Sequence, residues 1–367
     1  MHKKIKILHV IGSLKIGGAE NVAMNFVRYL DQQKYQCDYL VFSEEIGEYE
    51  EEAIKFGANI IRIPAPNKGY KNYIKNLKAI LKVNQYDIVH SHTLFNNGIT
   101  LKVAYDANIK KRISHSHSTD SGVKETLKYK IYKNIMKNMI KKYATHMIAC
   151  GLEAGKYLYG DEEFKKNGIV INNGIDAKKY CYSEIKRNRA RKELGIKEEL
   201  LIGHVGRFTE TKNHSFLLDI FNEVYKDNNN SKLLLIGDGE LRTEIEAKIK
   251  KLDLQDKVVL TGIRNDVAYL QQAIDVIVFP SLYEGLPVSI VEAQAAGIPC
   301  IVSDNVTTEV KITDCVNFMS LQKSSKEWAN KILEFRNIEK KNTVEELILA
   351  KYEINSIIEE VAKIYEV

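Results

Sequence analysis

Short runs of Ile, Val and Leu alternate with longer helical patterns along this chain, and the alternation occurs twice. "IKILHVI", "QCDYLVF", "ANIIRIP", "YDIVHSH", "KRISHSH", "THMIAC" and "GIVIN" form the first series. "LLIGHVG", "SKLLLIG", "KVVLTG", "DVIVFP" and "IPCIVS" form the second. A run that is apolar at successive positions suits a strand covered on both faces, as in a parallel sheet, and the helical stretches between supply the cover. No internal repeat or low-complexity segment interrupts the pattern. The fold class expected is α/β, with two doubly wound, Rossmann-like domains. At 367 residues the chain is long enough for two cores. The turn signal "NNG" at 172–174 and the pause after it place the boundary near Ala177. The domains expected are 1–177, 178–350 and a terminal amphipathic helix, 351–367, that packs back across the junction. Open α/β sheets bind ligands at the carboxyl ends of their strands, so two such domains facing across a cleft would share one site.

Other classes are excluded early. Five cysteines, scattered and without a C-x-x-C pair, suggest neither a disulfide framework nor a cysteine zinc site, and a cytoplasmic setting fits. No stretch approaches the roughly 20 apolar residues of a membrane span. The net charge of +6 hides an asymmetry. Residues 1–178 hold 28 Lys+Arg against 18 Asp+Glu, a net of +10, and the remainder holds 26 against 30, a net of −4. The basic half is the front half.

The chemistry concentrates in "FPSLYEGLPVSIVEAQAAGIPCIVSD" at 279–304. "DVIVFP" reads as a buried strand, "SLYEG" as the turn off its end, and Pro287 as the first residue of a helix running to about Gly297. The helix N-terminus offers unpaired amides to an anion. Glu284, in the turn, can reach ligand hydroxyls, and Glu292 can accept two hydrogen bonds from a vicinal diol such as a ribose. The alternative is a capping Glu284 and a solvated Glu292. A second element shifts the balance: "HVGRFTETKNH" leaves another strand with Arg207 and Lys212 at the same edge. Such cations suit a departing diphosphate, a task otherwise done by a metal, and no D-x-D occurs in the chain.

Together these residues resemble the retaining glycosyltransferases of family 4, which have the two-domain GT-B architecture. The resemblance covers the whole chain: "GGAE" at 17–20, "HSHS" at 115–118, "NNGID" at 172–176, "GRFTETKNH" at 206–214, "LLIGDGELR" at 234–242 and the E-x7-E from Glu284 to Glu292. "RISHSHST" and "IVSDNVTTEVKIT" are similar to the bacterial enzymes that build exopolysaccharide and capsule; the latter replaces a glycine-rich loop found in many relatives.

The resemblance implies Arg207 and Lys212 on a donor diphosphate, Glu292 on the ribose and Glu284 on the sugar. Backbone groups of Gly285, Leu286 and Val288 would lie beside sugar and phosphates, and Ile263 and Arg264 would receive the base. On the first domain it implies Gly17 and Gly18 near phosphates or acceptor, the alternative being a plain turn and helix start, and His117 against the reacting sugar. The catalytic set is thus His117, Glu284, Arg207 and Lys212. The implied activity is metal-independent transfer of a hexose, with retention, from a nucleotide sugar, UDP by family habit, to a lipid-linked glycan. No cofactor or metal and no nucleic-acid partner is expected. Two His-x-His pairs, His90/His92 and His115/His117, raise zinc as an alternative, set against the reading that strand alternation points both members of a pair the same way with the first simply buried. A nucleotide-sugar 2-epimerase and a non-catalytic nucleotide-sugar-binding protein remain the competing functions.

Lysines complete the reading. Lys68, Lys71, Lys75, Lys78 and Lys82 would make one cationic stripe on a helix, and Lys124, Lys128, Lys133, Lys137 and Lys141 a second. The alternative is two solvated faces. A lipid-linked acceptor would bring this half to an anionic membrane surface, giving peripheral association with the inner face of the cell membrane.

Overall fold

The computed structural model describes residues 3–119, 123–336, 338 and 340–366. The chain forms two compact units, one of residues 1–174 and 354–367 and the other of residues 175–353. The chain therefore changes unit at Gly174, three residues before the position read from the turn signal, and returns at Ile354.

Seven strands build the first sheet: β1 (Ile5–Ile11), β2 (Tyr35–Val41), β3 (Ile60–Arg62), β4 (Ile88–Ser91), β5 (Lys111–Ser116), β6 (His146–Ala149) and β7 (Gly168–Val170). Their order is β3-β2-β1-β4-β5-β6-β7, with every pairing parallel. Parallel neighbours need crossovers, and the helices that make them cover both faces. Alternate residues of one strand therefore enter different cores. Ile7 and Ile11 pack with Phe26 and Met24 of the helix Gly18–Tyr29, whereas Leu8 and Val10 pack with Tyr73 and Leu77 of the helix Tyr70–Asn84.

Six strands build the second sheet: β8 (Leu200–Val205), β9 (Ser231–Ile236), β10 (Val258–Leu260), β11 (Val276–Phe279), β12 (Cys300–Ser303) and β13 (Val316–Met319). Their order is β10-β9-β8-β11-β12-β13, again parallel throughout. One core gathers Ile277, Phe279, Ile290 and Val302, and the other gathers Ile202, Phe221, Val278 and Trp328. Strand β13 was not anticipated. It is a four-residue edge strand with only Val316 buried, so it lacks the continuous apolar run that marks the others.

The terminal helix, Ile354–Glu366, belongs to the first unit. Ile354, Ile357, Ile358, Val361 and Tyr365 join the core that holds Ile7 and Phe26. Gly174 permits the close approach, since a Cβ there would lie 2.4 Å from Ile357 Cδ1. Ile357→Ala is expected to destabilise the first unit by about 2–5 kcal/mol, and exposed Glu359→Ala by under about 0.5 kcal/mol, in urea unfolding followed by circular dichroism. Equal midpoints for the two variants would contradict this packing.

Candidate functional site

In the second unit the chain reverses direction across the sheet between β8 and β11. Strand β8 bonds β9 on one side and β11 on the other, so the loops leaving β8 and β11 diverge from neighbouring carboxyl ends. A crevice at such a reversal is where doubly wound sheets hold ligands. The loop after β8 carries Arg207 and Lys212, the loop after β10 carries Ile263 and Arg264, and the loop after β11 carries Glu284, Gly285 and Leu286.

These loops are tied together by backbone. Gly206 N donates to Ile236 O at 3.0 Å, Phe208 N to Asp238 O at 2.9 Å, and Gly237 N to Gly262 O at 3.0 Å. Gly237, just after β9, holds φ at +143°, and a Cβ there would fall 2.0 Å from Gly206 O, so only glycine lets the β9 loop pack this closely on the β8 loop. Leu282 N donates to Thr211 O at 2.8 Å, linking the β11 loop to the turn Glu210–Lys212.

That link brings two predicted residues together. Lys212 Nζ lies 2.6 Å from Glu284 Oε1, with both side chains largely buried, and 4.5 Å from the centre of the Phe279 ring. The ammonium is thus held by a carboxylate and an aromatic face. Arg207, exposed, lies on the same loop five residues earlier. Arg264 is paired with Asp266, at 2.6 and 2.7 Å, and Ile263 is 57% exposed. A Cβ on Gly285 would meet nothing within 4 Å, leaving open space beside the turn.

The helix after this turn runs Val288–Ala295, with Pro287 as its N-cap in extended conformation. The expected start at Pro287 and end near Gly297 are each slightly wide: the helix stops at Ala295, and Gly297 turns the chain with φ of +63°. Glu292 stands on the fifth residue. Its Oε1 accepts a 2.6 Å hydrogen bond from Tyr180 Oη. Burial pushes the Glu292 carboxyl up to about 7, against the lowering effects of that hydrogen bond and of Lys179 nearby. Tyr180 was missed in the sequence, because "NGIDAKKYCYSE" reads as a linker and 112 residues separate it from its partner.

In the first unit, Gly17 caps the helix Gly18–Tyr29 beyond the end of β1. Its extended backbone, φ −169°, is open to any residue, and a Cβ on Gly18 would meet nothing within 4 Å. His117 follows the end of β5, and its Nε2 lies 2.8 Å from His92 Nδ1. Burial lowers the His117 and His9 imidazoles to about 3 and holds His90, His92 and His115 well below the ordinary range, so this edge carries no charge from them at neutral pH.

The two lysine stripes fare differently. Lys71, Lys75, Lys78 and Lys82 lie on the exposed side of the helix Tyr70–Asn84, opposite buried Tyr73, Leu77 and Leu81; Lys68 sits in the preceding turn, paired with Glu44. The second stripe does not form one free face. Lys124 precedes the helix Leu127–Tyr143, Lys133 pairs with Glu125 and lies over Tyr129 and Tyr157, Lys137 lies over Phe95, and Lys141 pairs with Glu163. Aromatic surface at the helix flank covers the lysine stems. The outward face instead shows Leu127, Ile131 and Ile135 at 75%, 54% and 50% exposure. Among the described residues, no helix is long and apolar enough to cross a membrane.

Comparison with known proteins joins the two halves to known groups. Residues 16–179 match the glycosyltransferase family 4 model, and residues 186–350 match glycosyl transferases group 1. The Bacillus subtilis (strain 168) protein EpsF, named as a glycosyltransferase, is 33% identical over 332 residues, covering 89% of this chain and 86% of its own. An Escherichia coli UDP-Gal:alpha-D-GlcNAc-diphosphoundecaprenol alpha-1,3-galactosyltransferase is 29% identical over 317 residues, covering 83% of this chain and 80% of its own. Among solved structures, Anabaena Alr3699/HepE in complex with UDP superposes with a TM-score of 0.80 at 19% identity over 98% of both chains. The pair of parallel sheets is the GT-B class of fold.

The raised Glu292 carboxyl has a consequence for stability. A folded value of about 7 against the ordinary 4.5 means the folded chain binds the extra proton between these limits. The contribution of Glu292 is most favourable below 4.5 and is lost as pH rises through 7. Glu292→Gln is therefore expected to match wild type near pH 4 and to gain stability over it progressively towards pH 8, in ligand-free denaturant melts. A constant difference across this range would contradict the buried carboxyl.

Proposed function

Because the chain belongs to the glycosyltransferases, with a family 4 first half and a group 1 second half, we propose that it transfers a hexose from a UDP-sugar to a lipid-linked glycan, with retention, in exopolysaccharide or capsule synthesis. The observation that carries the donor assignment is the convergence of Lys212 and Glu284 at the β8/β11 crevice, one turn of chain from the helix that holds Glu292. The acceptor class is supported by the relative whose name specifies a diphosphoundecaprenol substrate.

On this reading, Arg207 and Lys212 take the diphosphate. As the sugar departs, negative charge grows on the leaving oxygen, and the two cations and the amides at Val288 stabilise it. This step asks for no Mg²⁺. Lys212 is released from Glu284 in proportion as the phosphate replaces it, which frees Glu284 for the sugar hydroxyls. Glu292 accepts from the ribose diol, and a diol that donates twice favours its ionised form over the protonated one. Backbone groups of Gly285, Leu286 and Val288 line the sugar, and those of Ile263 and Arg264 receive the base. On the first unit, Gly17, Gly18 and His117 are assigned to acceptor and sugar. No carboxylate is assigned as a nucleophile, so the leaving oxygen itself takes the acceptor proton on the same face.

The membrane is reached through the first unit. Lys71, Lys75 and Lys78 offer charge to anionic lipid, at about 1 kcal/mol each, and Leu127, Ile131 and Ile135 offer an apolar edge. Binding to anionic vesicles is expected to fall steeply with salt and to drop in the triple Lys→Glu variant; equal binding to neutral vesicles would remove the charge from the account.

The assay for transfer is UDP release from candidate UDP-sugars. Arg207→Ala and Lys212→Ala are each expected to slow turnover on the order of 10²-fold or more, and Glu292→Ala to weaken UDP binding, with circular dichroism unchanged. Wild-type turnover in the Arg207→Ala/Lys212→Ala double variant would overturn the diphosphate assignment.

A further inference from the structure

Five imidazoles stand on one face of the three central strands of the first sheet. His9 on β1 is level with His90 on β4, and Ser91 on β4 with Ser114 on β5, so His92 falls level with His115 one step further on. Side chains two apart share a face, which brings His117 into the same array. Neither His-x-His pair has a third ligand of its own; the parallel register supplies it.

The array has an inner and an outer part. One ring nitrogen from each of His92, His115 and His117 lies within 4.8 Å of the other two, and no carboxylate or thiolate belongs to the group among the described residues. The second ring nitrogens of two of them are engaged away from that point. His92 Nε2 meets His9 Nδ1 at 3.1 Å, and His115 Nδ1 meets His90 Nε2 at 3.2 Å. His90 Nδ1 continues to Tyr365 Oη at 2.7 Å. This leaves His92 Nδ1 and His115 Nε2 for a shared centre, to which His117 brings Nε2, 2.8 Å from His92 Nδ1.

We propose that His92, His115 and His117 form a three-nitrogen site for a divalent cation of the zinc class, oriented from behind by His9, His90 and Tyr365. Ligating histidines commonly fix their tautomer by bonding the other ring nitrogen, as His92 and His115 do here. His115 Nε2 and His117 Nδ1 are buried without a hydrogen-bond partner in the structure, and a buried polar atom so placed costs about 1–3 kcal/mol unless something binds it. An ion on His115 Nε2 removes the first of these costs. With metal–nitrogen bonds of about 2.0–2.1 Å, tetrahedral ligands stand about 3.3 Å apart. His92 Nδ1 and His117 Nε2, now 2.8 Å apart, need open by only about half an ångström. His9, His90 and His92 also come within 4.8 Å, but His90 has both nitrogens engaged and, with His9, is fully buried. His117 is only half-buried, at the carboxyl edge, which gives the ion its way in. Three neutral ligands leave the cation its full charge and a fourth position for an oxygen of water or of an anionic ligand. The site shares His117 with the sugar contact proposed above, so metal binding is read by itself, apart from glycosyl transfer.

The probe is Co²⁺, titrated into untagged, chelator-stripped protein and followed by its visible absorption, with Zn²⁺ as competitor and metal content counted by mass spectrometry. One ion per chain is expected, with the intense absorption of four-coordinate Co²⁺, displaced by Zn²⁺ and not by Mg²⁺. His117→Gln, at the half-buried edge, should abolish that absorption, and His9→Gln should weaken affinity about 10- to 100-fold while keeping it. No binding by folded wild type would overturn the proposal. So would binding that survives His117→Gln but is lost in His9→Gln, since the inner triad would then be the wrong one.

Discussion

Parallel pairing is the constraint on which everything else in this molecule rests. Because every strand in each sheet runs the same way, all the carboxyl ends of a sheet lie on one edge, and every loop that leaves a strand starts there. The apolar runs that force both faces to be covered push polar chemistry to that edge. Strand order then decides which loops meet. The reversal between β8 and β11 sets Lys212 beside Glu284, although 71 positions of sequence lie between the two. Gly237, fitted against Gly206 O, lets the β9 loop pack directly on the β8 loop.

The two sheets use that edge for opposite electrostatics. In the second unit it carries formal charge: an arginine, a lysine held by a carboxylate and an aromatic ring, and a glutamate poised near neutrality by burial. Such groups are suited to a ligand that brings two phosphates and a diol. In the first unit the corresponding edge carries imidazoles that burial keeps neutral and stacked, with His90 and His115 rings 5.3 Å apart and nearly coplanar in orientation at 9°. Burying four imidazoles and half-burying a fifth where Val or Ile would pack is costly unless their nitrogens are bonded, and the ladder of His–His contacts does most of that bonding.

Much of the fold was legible because strand burial leaves a direct mark on composition. "DVIVFP" and "SKLLLIG" can be little else, and Pro287 marks its helix to within one residue. Strand β13 escaped because an edge strand needs no apolar run: "VNFM" exposes three of its four residues in part. Lysine spacing on the helix Leu127–Tyr143 showed periodicity but not direction, since Phe95, Tyr129 and Tyr157 draw Lys133 and Lys137 inward. His9 did carry a signal, a lone imidazole in "KILHVI", but its meaning depends on strands 80 and more residues away. Tyr180 carried none. Pairings of that kind follow from register, which a single sequence does not state.

On the proposed function, the β8/β11 crevice of the second unit holds a nucleoside diphosphate. Hydrogen exchange with and without UDP, read by mass spectrometry, tests it directly. Protection is expected over residues 206–213, 261–266 and 282–292, the segments that carry Arg207, Lys212, Ile263, Arg264, Glu284 and Glu292. UDP binding accompanied by protection of the first unit's loops alone, with those three segments unchanged, would contradict it.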